Sequence, residues 1–366
     1  MKMSNIKSVF SVMSIAIPMF LIQSCAIKPL AWKPQKKPLF EGVTKLNNEL
    51  TTIEKIDLGG WVGAEDIVFD SKGNLYCGVH KAKNDFSDGK ILKINLEGKI
   101  EIFYDAGSWV AGLHFDNQNN LIALSHKQGL ISISTDKKVT LLANKDDKGR
   151  NFLIPNGLDI DSKQNMYFTN TSSESPYTLK YGRKLILEMK PNGGLYKYNP
   201  ATKEVKTLID GTYFGNGVVI SKDESFLLMV ETTKYRILKY WIIGEKAGKI
   251  EVFMDNLHGF PNGISVREDG TFWLGFTTKR NDALDKIHTK PSIKKIVYGL
   301  PQWLQPKEDK FGMVMHLSEN GKILNTYFDP IGNTMPEAGS VKELNGFLYM
   351  GGDNLPYIGK YKLLDN

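Results

Sequence analysis

Three times in this chain an Asn-Gly dipeptide opens a short run of apolar residues, which ends in a turn and is followed by a second apolar run. Phe260-Pro261-Asn262-Gly263-Ile264-Ser265-Val266 leads through Glu268-Asp269-Gly270 into Thr271-Phe272-Trp273-Leu274-Gly275. Pro155-Asn156-Gly157-Leu158-Asp159-Ile160 leads to Met166-Tyr167-Phe168, and Gly215-Asn216-Gly217-Val218-Val219-Ile220 leads to Phe226-Leu227-Leu228. Three asparagines at one place in three repeats converge on a point if the repeats are arranged radially. Few architectures accept that constraint.

Self-similarity at a period of about 45 residues, one hairpin-rich unit per repeat, is the mark of a β-propeller with one four-stranded sheet per blade. The reading is a six-bladed, all-β propeller over 51–366. Blade one runs from Glu65-Asp66 through Leu75–Val79, Lys90–Ile94 and Lys99–Tyr104, and blade two from Gly112 to Leu142. Blades three, four and five start at Asn156, Asn216 and Asn262, and blade six holds Ser340–Leu344, Phe347–Met350 and Gly359–Leu363. Thr51–Leu58 is left to supply the missing outer strand of blade six, which removes two unpaired sheet edges. Alternation within repeats, as in Val218 and Ile220 against Val219 and Ser221, fits half-buried strands. Two insertions interrupt the pattern, at 173–192 and 279–310. In the second, Ala283, Leu284 and Ile287 and then Ile293, Ile296, Val297 and Leu300 recur at helical spacing, broken by Pro291, Pro301 and Pro306. It reads either as a surface elaboration or as a lid over one end of the channel.

The N-terminus is of another kind. Lys2 and Lys7 precede an apolar stretch from Val9 to Ile22, and the segment ends Leu21-Ile22-Gln23-Ser24-Cys25. This resembles a bacterial lipoprotein signal over 1–24, cleaved before a lipidated Cys25; the alternative is a plain secretory signal. Residues 25–50, with Pro29, Pro34, Pro38 and several lysines, then read as a tether between lipid and domain in the cell envelope. The remaining cysteine, Cys77, falls in a strand and reads as a small buried hydrophobe. The net charge of +7 is spread out, which argues for a solvated surface that favours anionic lipid and against a nucleic-acid footprint.

The first strand of each blade lines the channel, so Glu65, Asn156, Asn216 and Asn262, each at the start of such a strand, face one mouth. One carboxylate and three amide carbonyls form an oxygen-only set of low charge. Calcium takes 6–8 oxygens at about 2.3–2.6 Å and tolerates irregular geometry. Zinc would call for His or Cys. Taken singly, each Asn-Gly is an ordinary tight-turn dipeptide; the repeated register, and a glutamate in the equivalent place of blade one, favour the metal.

From about residue 60 to 364 the chain resembles the strictosidine-synthase-like branch of the calcium-dependent phosphotriesterase superfamily, with gluconolactonases and paraoxonases as cousins. The resemblance rests on Val230-Glu231-Thr232-Thr233-Lys234-Tyr235-Arg236-Ile237-Leu238-Lys239-Tyr240-Trp241, on Thr169-Asn170-Thr171-Ser172-Ser173 and on Asn354-Leu355-Pro356-Tyr357-Ile358-Gly359. It implies metal-ligand roles for Glu65, Asn156, Asn216 and Asn262, and a contact of Asp66 with a second ion, although Gly157 stands where that second site has an aspartate. It implies a water-activating role for His126, and His80 occupies the matching place in blade one. The glutamate that drives condensation in strictosidine synthases maps to Gly339, with Glu337 two residues away. No G-x-S-x-G, H-E-x-x-H, C-x-x-C or P-loop motif is present. The expectation is a monomeric, lipid-anchored, calcium-dependent enzyme that hydrolyses a small lactone or ester; the alternatives are a non-catalytic binding propeller and a condensing enzyme.

Overall fold

Short apolar strands joined by turns that cap themselves decide the local structure. In the first hairpin Asp70 Oδ1 accepts the amides of Lys72 and Asn74, both at 2.9 Å, and Asp70 Oδ2 accepts the Asn74 side-chain amide at 2.7 Å. The same clasp recurs between Asp116 and Asn120 and between Asp161 and Asn165. An aspartate that binds its own turn in this way offers the backbone a ready reversal.

The computed structural model describes residues 27–306 and 309–363, which form six four-stranded antiparallel sheets. The six innermost strands are Val62–Phe69, Val110–Phe115, Pro155–Ile160, Gly215–Ile220, Gly259–Val266 and Ser340–Leu344. The ring closes as expected: Glu54–Asp57 pairs with Tyr357–Lys362 as the outer strand of blade six, with Ile56 opposite Ile358.

No single core holds the molecule together; neighbouring blades share one at each junction. Tyr167 and Leu195 of blade three pack with Val218, Leu227 and Met229 of blade four. Phe226, Leu228 and Ile237 of blade four meet Phe272, Leu274 and Met313 of blade five. Each such side chain contributes about 1.5–3 kcal/mol by leaving water. Cys77 is fully buried in the blade-one cluster, where burial pushes its thiol up to about 12.

Both insertions form helices over one end of the ring. α1 (Leu179–Glu188) starts where Thr178 Oγ1 accepts the Tyr181 amide at 3.1 Å. α2 (Asp282–Ile287) is capped by Asn281 Oδ1, which accepts from Ala283 and Leu284 at 3.0 Å. α3 (Pro291–Gly299) opens on a proline, which has no amide proton to leave unbonded. Leu187, Leu284, Ile287, Val297 and Tyr298 pack together, so the helical insertion is a lid built jointly with α1.

The expected tether differs most from the structure. The described part, 27–50, is a strap bound along the propeller. Ile27 is buried against Leu187 and Tyr298, Phe40 rests on Phe311 and Phe328, and Leu50 is fully buried in blade six. The Leu30 amide donates to Glu188 O (2.8 Å) and the Trp32 amide to His288 O (2.9 Å). The lysines and prolines of this segment suit a spacer, but its spaced apolar residues find pockets that only the folded ring offers. Cys25 and the leader before it lie outside the described residues.

At the axis adjacent inner strands approach so closely that side chains are excluded. A Cβ on Gly112 would stand 2.3 Å from Asn156 O, on Gly157 2.7 Å from Asn216 O, and on Gly217 2.6 Å from Asn262 O. Replacing Gly217 by alanine should therefore destabilise the ring by about 1–3 kcal/mol, the usual range for overpacking. Denaturant unfolding measures this, and a midpoint equal to wild type would remove the close-approach explanation.

Candidate functional site

The Asn-Gly dipeptides at 156, 216 and 262 are not turns. They sit inside the inner strands, at bulges where the ladder to the second strand breaks: between Pro155 and Leu158, between Gly215 and Val218, and between Pro261 and Ile264. Blade one has the same break between Gly63 and Ile67, with Ala64 held at φ 72 beside Glu65. A bulge frees a residue from the pleat and re-aims its side chain. The four expected residues Glu65, Asn156, Asn216 and Asn262 accordingly all line one cavity of about 330 Å³.

Threonines on the second strands orient the amides. Asn216 Nδ2 donates to Thr232 Oγ1 (3.2 Å), which donates in turn to Pro261 O (2.7 Å). Asn262 Nδ2 donates to Thr277 Oγ1 (3.1 Å). In blade three, Thr169 Oγ1 accepts the Gly157 amide (2.9 Å) and donates to Asn216 O (2.5 Å). With Nδ2 committed, the carbonyl oxygens of Asn216 and Asn262 are the atoms left for a ligand. The Thr169 and Thr232 motifs in the sequence thus serve the residues in front of them.

The structure adds carboxylates that the repeat pattern did not reveal. Asp353 and Glu337, both of blade six, line the same cavity. Glu65 Oε2 and Asp353 Oδ1 are buried without a hydrogen-bond partner. Burial, then the charge and proximity of Asp353, then the charges of Glu337 and Asp66, hold the Glu65 carboxyl well above the usual carboxylate range. Two buried carboxylates within reach of each other need a proton or a cation between them. A Cβ on Gly339 would stand 3.1 Å from Asn262 Nδ2 and 3.6 Å from Glu65 Oε2, so glycine there keeps the centre open. Among the described residues no three His, Cys, Asp or Glu side chains form a metal cluster by themselves, so any cation here must use the amides as well. An oxygen-only set with two orphaned carboxylate oxygens fits a hard divalent ion.

The other expected residues do not line the large cavity. Asp66 is turned away: its Oδ1 accepts the Ile67 amide and its Oδ2 the Leu113 amide, both at 2.9 Å, which ties blade one to blade two. With Lys342 it lines a second, smaller cavity of about 30 Å³ that shares Glu65, Asn156, Asn216 and Asn262 with the first. Burial raises its pKa against the opposing charge of Lys342.

Neither histidine is among the residues that line the large cavity. His80 is fully buried, with Nδ1 2.7 Å from Ala82 O and Nε2 2.6 Å from Asp353 O, so it holds the Asp353 backbone in place. His126 lies behind Trp109, ring centroids 5.0 Å apart, and burial pulls its pKa down to about 3. Its Nε2 is buried without a hydrogen-bond partner, beside Pro155 of the strand that carries Asn156. Strand position alone located both histidines near the mouth but could not reveal what stood in front of them.

The strictosidine synthase family profile matches residues 156–245, and the profile of the strictosidine synthase-like N-terminal region matches 42–94. Strictosidine synthase-like protein 3 of Arabidopsis thaliana is 32% identical over 347 residues, covering 87% of this chain and 85% of that protein. The adipocyte plasma membrane-associated protein of Gallus gallus is 29% identical over 380 residues, covering 96% and 88%. Among solved structures, a gluconolactonase from Xanthomonas campestris aligns with a TM-score of 0.60 at 15% identity, covering 92% of this chain and 98% of that one. A luciferin-regenerating enzyme aligns at 0.59 with 14% identity, covering 86% and 95%. These two share the fold. With a relative 32% identical over most of both chains and the two profile matches, the chain belongs to the strictosidine synthase-like family.

Proposed function

We propose that this protein is a calcium-dependent hydrolase of lactones or esters, attached to a membrane through its N-terminus. The observation that carries the reading is the pair of orphaned carboxylate oxygens, Glu65 Oε2 and Asp353 Oδ1, beside amides whose nitrogens are already committed. Glu65, Asn156, Asn216, Asn262 and Asp353 would hold the ion. When bound, calcium supplies a Lewis acid that polarises a carbonyl and stabilises the charge developing on its oxygen.

The chain's own groups do the rest. Phe86, Trp109, Phe214 and Phe260 form walls that take the apolar part of a substrate, and Leu284 and Val297 of the lid close over it. Water is thereby excluded except at the mouth, which strengthens every electrostatic contact inside. Glu337 Oε1 accepts the Asn354 amide at 3.1 Å, and its carboxylate lines the cavity in blade six. It lines the cavity where neither histidine does, and takes the part of proton acceptor for the attacking water. The absence of a histidine from the cavity lining also favours a second reading, a binding propeller with a structural ion. A condensing enzyme is poorly supported, since a glutamate at 339 would fill the space between Asn262 and Glu65.

Calorimetric titration separates these readings. Asn216→Ala should lose calcium binding and turnover together. Thr232→Val, which frees the Asn216 amide, should weaken calcium by about tenfold. Glu337→Gln should leave calcium affinity intact and lower kcat by about 10²–10⁴-fold on aryl esters or lactones; calcium binding without turnover on any of them would select the binding propeller.

The raised Glu65 pKa makes a further prediction. In the calcium-free protein the folded state holds a proton that the unfolded state releases at lower pH, so stability falls as pH rises from the ordinary carboxylate range through the raised value. Calcium displaces that proton and should flatten the dependence. Melting temperatures across pH 4–8, with calcium and with chelator, test this; parallel curves would remove the ion from this site.

A further inference from the structure

We infer that the outer face of α3 and of the turn after it is a docking surface for an anionic lipid bilayer, so that the cavity mouth opens toward the membrane. The inference does not rest on hydrolysis and stands or falls separately from it.

The first observation is what this face exposes. Ile296 on α3 is 58% exposed, and Trp303 and Leu304 just beyond it are 78% and 48% exposed. Large apolar residues are exposed elsewhere too, as at Leu39, Val43 and Leu46 of the strap. Here the exposed set includes a tryptophan and follows a helix that is flanked by lysines. Between 286 and 306 the sequence holds no acidic residue, and Lys286, Lys290 and Lys295 are its lysines that are not buried. Exposed aliphatic and tryptophan side chains among lysines are what an interfacial segment presents to headgroups and to the upper acyl chains.

The second observation is where the chain outside the described residues joins the body. Ile27 is buried in the lid beside Leu187 and Tyr298. The Lys28 amide donates to Glu188 Oε1 (2.6 Å) and Lys294 Nζ donates to Leu30 O (2.8 Å). The apolar run Val9–Ile22 is thus joined to this face by the five-residue step from Ile22 to Ile27, which spans at most about 18 Å even if fully extended. Anything that holds the leader or Cys25 in a bilayer holds the lid against it. Charge complementarity then favours anionic lipid, at about 1 kcal/mol per lysine near the surface.

The third observation is what lies on the inner side of the same segment. Leu284, Ile287, Val297, Gln305, Pro306 and Asp309 line the cavity. A single layer of chain therefore separates a bilayer on one side from an apolar chamber on the other. The substrate class that fits is a lipophilic ester or lactone that partitions into the membrane and enters beneath the lid.

Depth-dependent quenching tests the orientation. In the full chain with Cys25→Ser, an environment-sensitive fluorophore is placed at Trp303→Cys or, as a control, at Leu96→Cys, a blade-one turn residue that is 80% exposed. Cys77 is buried with its thiol pushed up to about 12, so it does not compete for label. On vesicles of phosphatidylcholine with 30% phosphatidylglycerol and brominated acyl chains, the position-303 label should be quenched several-fold more than the position-96 label. That difference should shrink in pure phosphatidylcholine. Equal quenching at the two positions on vesicle-bound protein overturns the proposal, and a difference independent of phosphatidylglycerol overturns its electrostatic part. Label at either exposed position should leave the melting temperature unchanged, which confirms that folded protein is compared.

Discussion

Everything in this molecule hangs on how closely the inner strands come to one another at the axis. Backbone meets backbone there: the Gly263 amide donates to Gly339 O at 2.6 Å, and the Cβ positions of Gly112, Gly157 and Gly217 are taken by carbonyls of the next blade. Only glycine permits that approach. Because the glycine follows directly on a bulged residue, the same geometry that packs the blades aims one side chain per repeat along the axis. Stability and the site have a common origin.

The ring of side chains is electrostatically unfinished. Its amides are neutral, those of Asn216 and Asn262 oriented by threonines, while its carboxylates, Glu65 and Asp353, repel each other in a buried place. Another buried acid is met from within the chain. Asp159 is buried, yet the bond from His114, the charge of Lys342 and the Ile220 amide together hold its carboxyl below the usual range. One acidic centre is compensated by a lysine and a histidine of the chain itself, and the other is left for a proton or an ion.

Strap, lid and propeller are one unit because a buried charge joins them. Arg280 is 2% exposed; its Nη2 donates to Gln35 O of the strap (2.8 Å) and to Asp285 of α2 (2.7 Å), and its Nη1 donates to Asn256 (2.5 Å). The guanidinium also lies 4.4 Å from the Tyr235 ring centroid, and Tyr235 OH donates to Asp285 Oδ1. Removing one partner of such a buried pair costs about 3–5 kcal/mol, because the other is left uncompensated. The lid position is therefore specified by hydrogen bonds as well as by apolar contact.

Sequence alone determined the blade count, the closing strand, the positions of Glu65, Asn156, Asn216 and Asn262, and the helical character of 279–310. Each of these is a periodic or local property: strand alternation, a repeat length, a dipeptide in fixed register. Only the tertiary structure decided that the three axial Asn-Gly dipeptides mark bulges and not turns, that Asp353 and Glu337 line the same cavity as the ring, that His126 packs on Trp109, and that 27–50 is bound down. Those facts depend on which surfaces meet across blades, and no local pattern encodes that distance. Asp353 is separated from Glu65 by 288 positions, and it becomes its neighbour only because the ring closes.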